Sequence, residues 1–168
     1  MAGMGSRDVV PPLRSFDDIE DVVRFTQYAE ELGYGYVSVG ETNGWNVPLV
    51  LSVLADRTDE IGISEDVLSP FGRTPATLGQ TAATLQEISD SRFRLRIGAS
   101  SPELVEGWHG LEFERPLRRV REAVEIVRLV QSGERVDYDG TIFSLGWPTG
   151  EPEPLEREDC AVVIDPLP

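Results

Sequence analysis

Residues 61–97 read IGISEDVLSPFGRTPATLGQTAATLQEISDSRFRLRI, and this stretch decides the fold. Its first part, Ile61 to Val67, is apolar enough for a strand. Its last part, Phe93 to Ile97, is a second strand despite its arginines, because Phe93, Leu95 and Ile97 keep a period of two. Between them Thr74 is a helix cap and Pro75 takes the first helical position, after which Leu78, Ala82, Leu85 and Ile88 form one face. Strand, helix and strand in this succession predict a parallel sheet with right-handed crossovers, the α/β class.

The pattern extends in both directions. Upstream, Ser15 followed by Asp18 is a helix-start signature, and Phe16, Ile19, Val22, Val23, Ala29 and Leu32 keep helical spacing up to Gly33. A strand follows at Tyr36 to Gly40, and Pro48 opens a further helix over Leu49 to Ala55. A first strand near Val9 and Val10 is weak, since Pro11 and Pro12 follow at once. Downstream, Ser101 and Pro102 cap a short helix near Glu103 to Trp108. Pro116 starts the longest helix, with Leu117, Val120, Val124 and Val127 on one stripe and Gly133 as its stop. Arg135 to Tyr138 and Thr141 to Leu145 predict a hairpin with a two-residue Asp139-Gly140 turn. Residues 1–146 therefore read as one domain. Residues 147–168 hold five prolines and the acids Glu151, Glu153, Glu156, Glu158 and Asp159, and read as an acidic, exposed tail in which only Ala161 to Ile164 is apolar enough for a strand.

The chain has 168 residues, with 30 acidic against 15 basic, and every basic residue is arginine. A net charge of -15 repels nucleic-acid backbones and anionic lipid, so neither is an expected partner. Such an acid excess without lysine fits a protein kept soluble in concentrated salt, where repulsion is screened within about 3 Å at 1 M. Cys160 is the only cysteine, which excludes an internal disulfide and suits a reducing compartment. The longest uncharged run, Thr42 to Ala55, contains Asn46 and Pro48 and is too short for a membrane span. Met1 to Arg14 lacks the apolar core of a signal peptide, so the expected location is the cytoplasm.

General motif searches give little. Gly33, Gly35 and Gly40 are in the wrong order for a dinucleotide fingerprint, and without lysine no phosphate loop of the usual kind can form. His109 is the only histidine, and with no second histidine or cysteine beside it a structural or surface role is the favoured reading. Position says more, since parallel α/β sheets bind ligands where strands end and helices begin. Those places hold Glu41-Thr42-Asn43, Asp66 to Pro70 and Gly98-Ala99-Ser100-Ser101. Small residues there let a flat ring approach the backbone, and the caps Thr74 and Ser101 offer oriented donors. On pattern alone the same residues are ordinary turn and cap chemistry. Arg73 could clamp a phosphate or serve as surface charge.

The strings VLSPFGRTPATL (67–78), QTAATL (80–85), GASSP (98–102), WHG (108–110) and FERPLRR (113–119) resemble the bacterial-luciferase-like superfamily, most closely its coenzyme F420-dependent oxidoreductases, the group that includes methylenetetrahydromethanopterin reductase. The resemblance covers roughly residues 16–145. It implies an eight-stranded β/α (TIM) barrel that holds a deazaflavin, or FMN in some relatives, at its C-terminal strand ends and moves a hydride to or from a small organic substrate. By position it implies cofactor contacts at Glu41, Thr42, Asp66, Val67, Gly98, Ala99, Ser100 and Ser101, with a non-proline cis peptide at Asp66-Val67. No residue is assigned a catalytic role and no metal is implied. Thr42 stands where many relatives have histidine. Ser64, Glu65 and Asp66 stand where many have glycines, and Arg96 where a small residue is usual. Arg96 would pair with Glu65 or Asp66, or collide with the ring.

Length is the larger departure. About four β/α units at roughly 33 residues each are present, whereas eight need about 260. The chain therefore reads as the N-terminal half of such a barrel, truncated at its C-terminal side. Pairing of two copies, a homo-oligomer, would cover the open sheet edges. The alternatives are a non-catalytic remnant acting as an interaction module, and a small-anion or flavin binder without turnover. Resemblance and composition together imply a halophilic archaeal cytoplasm.

Overall fold

The computed structural model describes residues 7–133, 135–146 and 161–164. In chain order the elements are β1 (Asp8–Val9), α1 (Ile19–Glu31), β2 (Tyr36–Val39), α2 (Val47–Arg57), β3 (Gly62–Glu65), α3 (Pro75–Ile88), β4 (Phe93–Ile97), α4 (Pro116–Gln131), β5 (Asp137–Asp139), β6 (Ser144–Gly146) and β7 (Ala161–Ile164). Five parallel strands form one sheet in the order β1-β2-β3-β4-β7. Helices connect the first four, so the α/β reading holds.

The two faces of the sheet differ as the period of two requires. Val37, Val39, Ile63, Phe93, Leu95 and Ile97 join Val22, Leu51, Leu54, Leu78 and Val127 in one buried core. The other face is polar. There the Ser38 and Ser64 hydroxyls share a buried hydrogen bond of 2.6 Å, and the Arg94 guanidinium lies 3.8 Å from the centre of the Tyr36 ring. Gly62 is the β2–β3 partner of Tyr36, and a side chain at that glycine would run into the ring.

Helix α3 begins as its sequence predicts, with the Thr74 hydroxyl accepting the Thr77 N–H. Helix α1 does not begin at Ser15, which ends a short 3-10 turn. Asp18 is the cap, accepting the Asp21 N–H at 3.0 Å, and the Asp21 carboxylate in turn accepts the Asp17 N–H. These two acids form a stronger reciprocal cap than a lone serine.

Charged side chains stand in for main-chain partners at three places. The Glu30 carboxylate accepts the N–H groups of Asp59, Glu60 and Ile61. Burial pushes its carboxyl up, but the three donors together hold it below its ordinary value. Arg92 donates to the carbonyls of Ala55, Thr58 and Ile61, tying down the end of α2. Glu122, 2 % exposed on α4, accepts from the N–H groups of Thr141, Ile142 and Phe143 at 3.0, 2.8 and 3.1 Å.

The last of these corrects the expected hairpin. The register pairs Asp139 with Ser144, and Gly140 N–H donates to the Phe143 carbonyl, so the two-residue tip is Thr141-Ile142, two positions later than the expected Asp139-Gly140. The displaced turn points three consecutive N–H groups toward Glu122. A Cβ at Gly140 would sit 2.5 Å from Glu122 Oε2.

Ala161–Ile164, placed in the acidic tail by its surroundings in the sequence, pairs with Arg94–Ile97 as strand β7. Its place in the sheet follows from its short apolar run. The rest of that segment, 147–160 and 165–168, lies outside the described residues. Among the described residues no helix is long and apolar enough to cross a membrane.

Candidate functional site

The C-terminal ends of β2, β3 and β4 bring the predicted residues to one end of the sheet. Glu41 and Thr42 follow β2 after Gly40, the cis peptide Asp66–Val67 follows β3, and Gly98 to Ser101 follow β4. After Ser64 pairs with Arg94, strand β3 leaves the ladder and returns at a single Leu68–Ile97 bridge. Gly98 packs under this bulge, where a Cβ would fall 2.5 Å from Val67 Cγ2. The Ala99 carbonyl accepts the Ser69 hydroxyl at 3.2 Å. Ser100 has a positive φ of 65°, which turns the chain out of the sheet. The Ser101 hydroxyl accepts the Leu104 N–H at 3.4 Å, so it caps the following turn.

Glu65 and Arg96 organise the bulge. Glu65 Oε1 accepts the Arg96 main-chain N–H, filling the place a strand carbonyl would take, and the side chain is fully buried. Burial pushes its carboxyl up to about 8, against the lowering effect of the Arg96 N–H and guanidinium, and the Glu41 charge adds to the rise. Glu65 Oε2 is buried without a hydrogen-bond partner. The Arg96 guanidinium pairs with Asp66 at 2.7 Å. Of the alternatives the sequence left open, pairing is the one observed: Asp66 takes the side chain, Glu65 the main chain.

Beside this bulge three βα loops enclose a cavity of about 340 Å³ lined by Glu41, Thr42, Gly44, Trp45, Asn46, Gly72, Arg73, Trp108 and His109. Arg73 is neither surface charge nor a ready phosphate clamp. Both of its terminal nitrogens bond the Glu41 carboxylate, one at 2.7 Å, and one also reaches Asn46 Oδ1 at 3.2 Å. Both partners are 17 % exposed, and Glu41 also accepts the Val47 N–H at the start of α2. A bidentate pair shielded to this degree fixes both loops.

Of the eight predicted residues, Glu41 and Thr42 line the cavity; Asp66, Val67 and Gly98 to Ser101 form the bulge next to it. The sequence reading missed Trp45, Asn46, Gly72 and Trp108 as cavity residues. Trp45 could have been found from its place in the same loop as Glu41. His109, read as structural or surface, is exposed and lines the cavity. Among the described residues no group of histidine, cysteine and carboxylate side chains is placed to hold a metal ion.

Residues 2–166 match the luciferase-like monooxygenase family. The chain belongs to this family. It is 38% identical over 122 residues to the 5,10-methylenetetrahydromethanopterin reductase of Archaeoglobus fulgidus, covering 72% of this chain and 36% of that one. Among solved structures it superposes on an F420-dependent secondary alcohol dehydrogenase bound to an F420-acetone adduct with a TM-score of 0.81 at 20% identity, covering 95% of this chain and 51% of that one. It superposes also on the FMN-bound oxygenating constituent of 3,6-diketocamphane monooxygenase from Pseudomonas putida, with a TM-score of 0.76 at 16% identity, covering 95% and 51%. The fold is thus that of about half a luciferase-like TIM barrel. The chain spans between about a third and a half of the length of these relatives.

Gly98, Ala99 and Ser100 carry only small side chains at the end of β4, and the space beside Gly98 is taken by Val67. Both nearby arginines, Arg73 and Arg96, are held by carboxylates.

Proposed function

We propose that this luciferase-like chain binds coenzyme F420, with FMN as the alternative, against the bulge at Asp66–Val67 and the loop Gly98 to Ser101. In this reading it serves hydride transfer to or from a small organic substrate. The supporting observation is the convergence of Glu41-Thr42, the cis Asp66–Val67 bond and Gly98 to Ser101 at the C-terminal ends of three adjacent parallel strands, where α/β folds place their ligands. When bound, the cofactor would supply the hydride chemistry. The chain's part is placement: the Glu65–Arg96 bond shapes the bulge, Asp66 draws the Arg96 guanidinium to one side, and the Glu41–Arg73 pair fixes the neighbouring loops.

In this reading residues 1–146 carry the site and two copies associate in a salt-rich cytoplasm, each covering the open edges at β1 and β7 of the other. Titration with F420 and with FMN, together with solution mass, tests it. Saturable binding by a dimer supports it, and a monomer that binds neither cofactor overturns it. A second reading, a non-catalytic interaction module, draws on the span of the chain, which is about half that of its relatives; the same titration decides between the two.

A further inference from the structure

We propose that Asn43 is a site of spontaneous covalent modification, in which the Gly44 main-chain nitrogen displaces the side-chain nitrogen of Asn43 and leaves aspartate or isoaspartate in the loop between β2 and α2. Neither step needs a bound cofactor.

The chain has two asparagines, Asn43 and Asn46, and two places where asparagine or aspartate precedes glycine, Asn43-Gly44 and Asp139-Gly140. Asparagine is one of the thermolabile side chains. A glycine after it leaves the attacking nitrogen unshielded, because no Cβ stands beside that nitrogen and the chain turns freely there. In sequence the two glycine steps look alike. The structure separates them.

At Asn43-Gly44 nothing holds the reacting groups. Both residues are exposed, and they lie outside any helix or strand. A Cβ at Gly44 would meet no atom within 4 Å. Among the described residues neither the Asn43 side-chain amide nor the Gly44 N–H has a hydrogen-bond partner, so the nitrogen is free to lose its proton to solvent and the side chain is free to swing onto it. Motion is confined to these two residues, since Glu41 is bonded to Arg73 at 2.7 Å and to the Val47 N–H at 3.3 Å.

The other candidates are held. Asp139 is paired with Ser144 in the hairpin, and the Gly140 N–H donates to the Phe143 carbonyl at 2.8 Å. A Cβ at Gly140 would sit 2.5 Å from Glu122 Oε2 and 2.6 Å from Tyr138 Cε1, so the nitrogen has no room to leave its bond and close a ring. Asn46 Oδ1 accepts from Arg73 at 3.2 Å, and the nitrogen that follows it belongs to buried Val47 and is bonded to Glu41.

The chemistry balances without an oxidant or reductant. The deprotonated Gly44 nitrogen forms a bond to Asn43 Cγ, the Cγ–Nδ2 bond breaks, and Nδ2 departs as ammonia. Water then opens the five-membered imide. Cleavage at one carbonyl gives aspartate with the ordinary main chain; cleavage at the other gives isoaspartate, with the main chain rerouted through the side chain and one methylene longer. One water is consumed and one ammonia released. Either product places a new carboxylate between Thr42 and Gly44, both of which line the cavity where Glu41 and Arg73 otherwise balance each other.

Ageing the purified chain at pH 8 and 37 °C for two weeks, with intact mass and peptide mapping at intervals, tests this. The mass gain of an amide turned into an acid should appear in the peptide containing Asn43, and several-fold faster at pH 8 than at pH 7, because the attacking nitrogen must first lose its proton. Enzymatic methylation of isoaspartate should label position 43 and leave position 139 unlabelled. A blocked peptide of residues 41–46 in the same buffer gives the unconstrained rate, and the folded chain should react within tenfold of it. Gly44→Ala, which the open space there accommodates, should slow the conversion tenfold or more with an unchanged circular dichroism spectrum. An Asn43 that stays intact, or that reacts more than tenfold slower than the peptide, overturns the proposal. Equal conversion at Asn46 or Asp139 overturns it as well, because the reaction would then proceed from the unfolded chain.

Discussion

Glu65→Gln should stabilise the chain progressively as pH rises from about 4.5 to 8. Glutamine keeps the Oε1 acceptor for the Arg96 N–H and places an amide where the protonated oxygen sits, so the bulge keeps its shape. In the folded chain burial holds the Glu65 carboxyl near 8, against an ordinary value of 4.5. The unfolded chain therefore releases the proton first, and the native state loses stability with rising pH until Glu65 itself ionises. At about 1.4 kcal/mol per unit, this shift corresponds to a ceiling of about 5 kcal/mol at pH 8 and almost nothing at pH 4. At about 2–4 °C per kcal/mol, the ceiling is a difference of order 10–20 °C in melting temperature. Urea unfolding of both proteins at pH 4, 5, 6, 7 and 8, with m-values checked for equality, measures the gap. Every other titrating group is common to the two chains and cancels. A gap that stays constant across this range, or a glutamine variant less stable than the parent at pH 8, refutes the reasoning. Glu65→Ala is the control: it leaves the Arg96 N–H without its acceptor and should destabilise even at pH 4.

Glu122→Ala should cost about 3 kcal/mol, since it strands three N–H groups that bond a charged acceptor, and hydrogen exchange at Thr141, Ile142 and Phe143 should accelerate selectively. Glu30 and Glu122 are both held below their ordinary value, with burial opposing and main-chain donors prevailing. Their stabilisation is thus present above about pH 4.5 and lost as pH falls through their folded values; acid titration of the circular dichroism signal should show this loss in the parent and less of it in Glu122→Gln. Gly62→Ala forces the Tyr36 ring off its place beneath Arg94 and should lower stability by about 1–3 kcal/mol in thermal unfolding. Arg73→Gln leaves Glu41 without its counter-charge and should weaken F420 binding at least tenfold in a fluorescence titration. Raising KCl from 0.1 to 1 M shortens the screening length from about 10 Å to about 3 Å and should raise the urea midpoint; a flat response would count against adaptation to salt.

Local chemistry was legible wherever a residue's role is set by its sequence neighbours. Thr74 and Pro75 announce α3, and Phe93, Leu95 and Ile97 announce β4, because capping and alternation act over a few positions. The alternation of strands and helices also placed Glu41, Asp66 and Gly98 at one end of the sheet. Partners far apart in the chain were not legible. Glu122 sets the hairpin turn from 19 to 21 residues away, and Arg73 finds Glu41 across 32 residues. Ala161–Ile164 was legible as a possible strand, but its pairing with β4 was not, because the composition of its acidic, proline-rich surroundings says nothing of what four apolar residues can pair with. The nearness of the His109 ring to Gly72 was not legible either, because that glycine lies in a different loop.

The use of Glu30, Glu65 and Glu122 as main-chain acceptors has a consequence for redesign. Any redesign that lowers the net negative charge of this chain would begin by exchanging acids for neutral or basic residues. A carboxylate census treats all thirty acids as equivalent, yet these three differ in kind. A lysine at Glu30 or Glu122 would set a cation against three N–H groups, and at Glu65 it would bury an ammonium ion beneath the proposed cofactor seat. Library design should therefore hold Glu30 and Glu122 fixed, admit only glutamine at Glu65, and draw its charge reduction from exposed positions such as Glu31, Asp56 and Glu112.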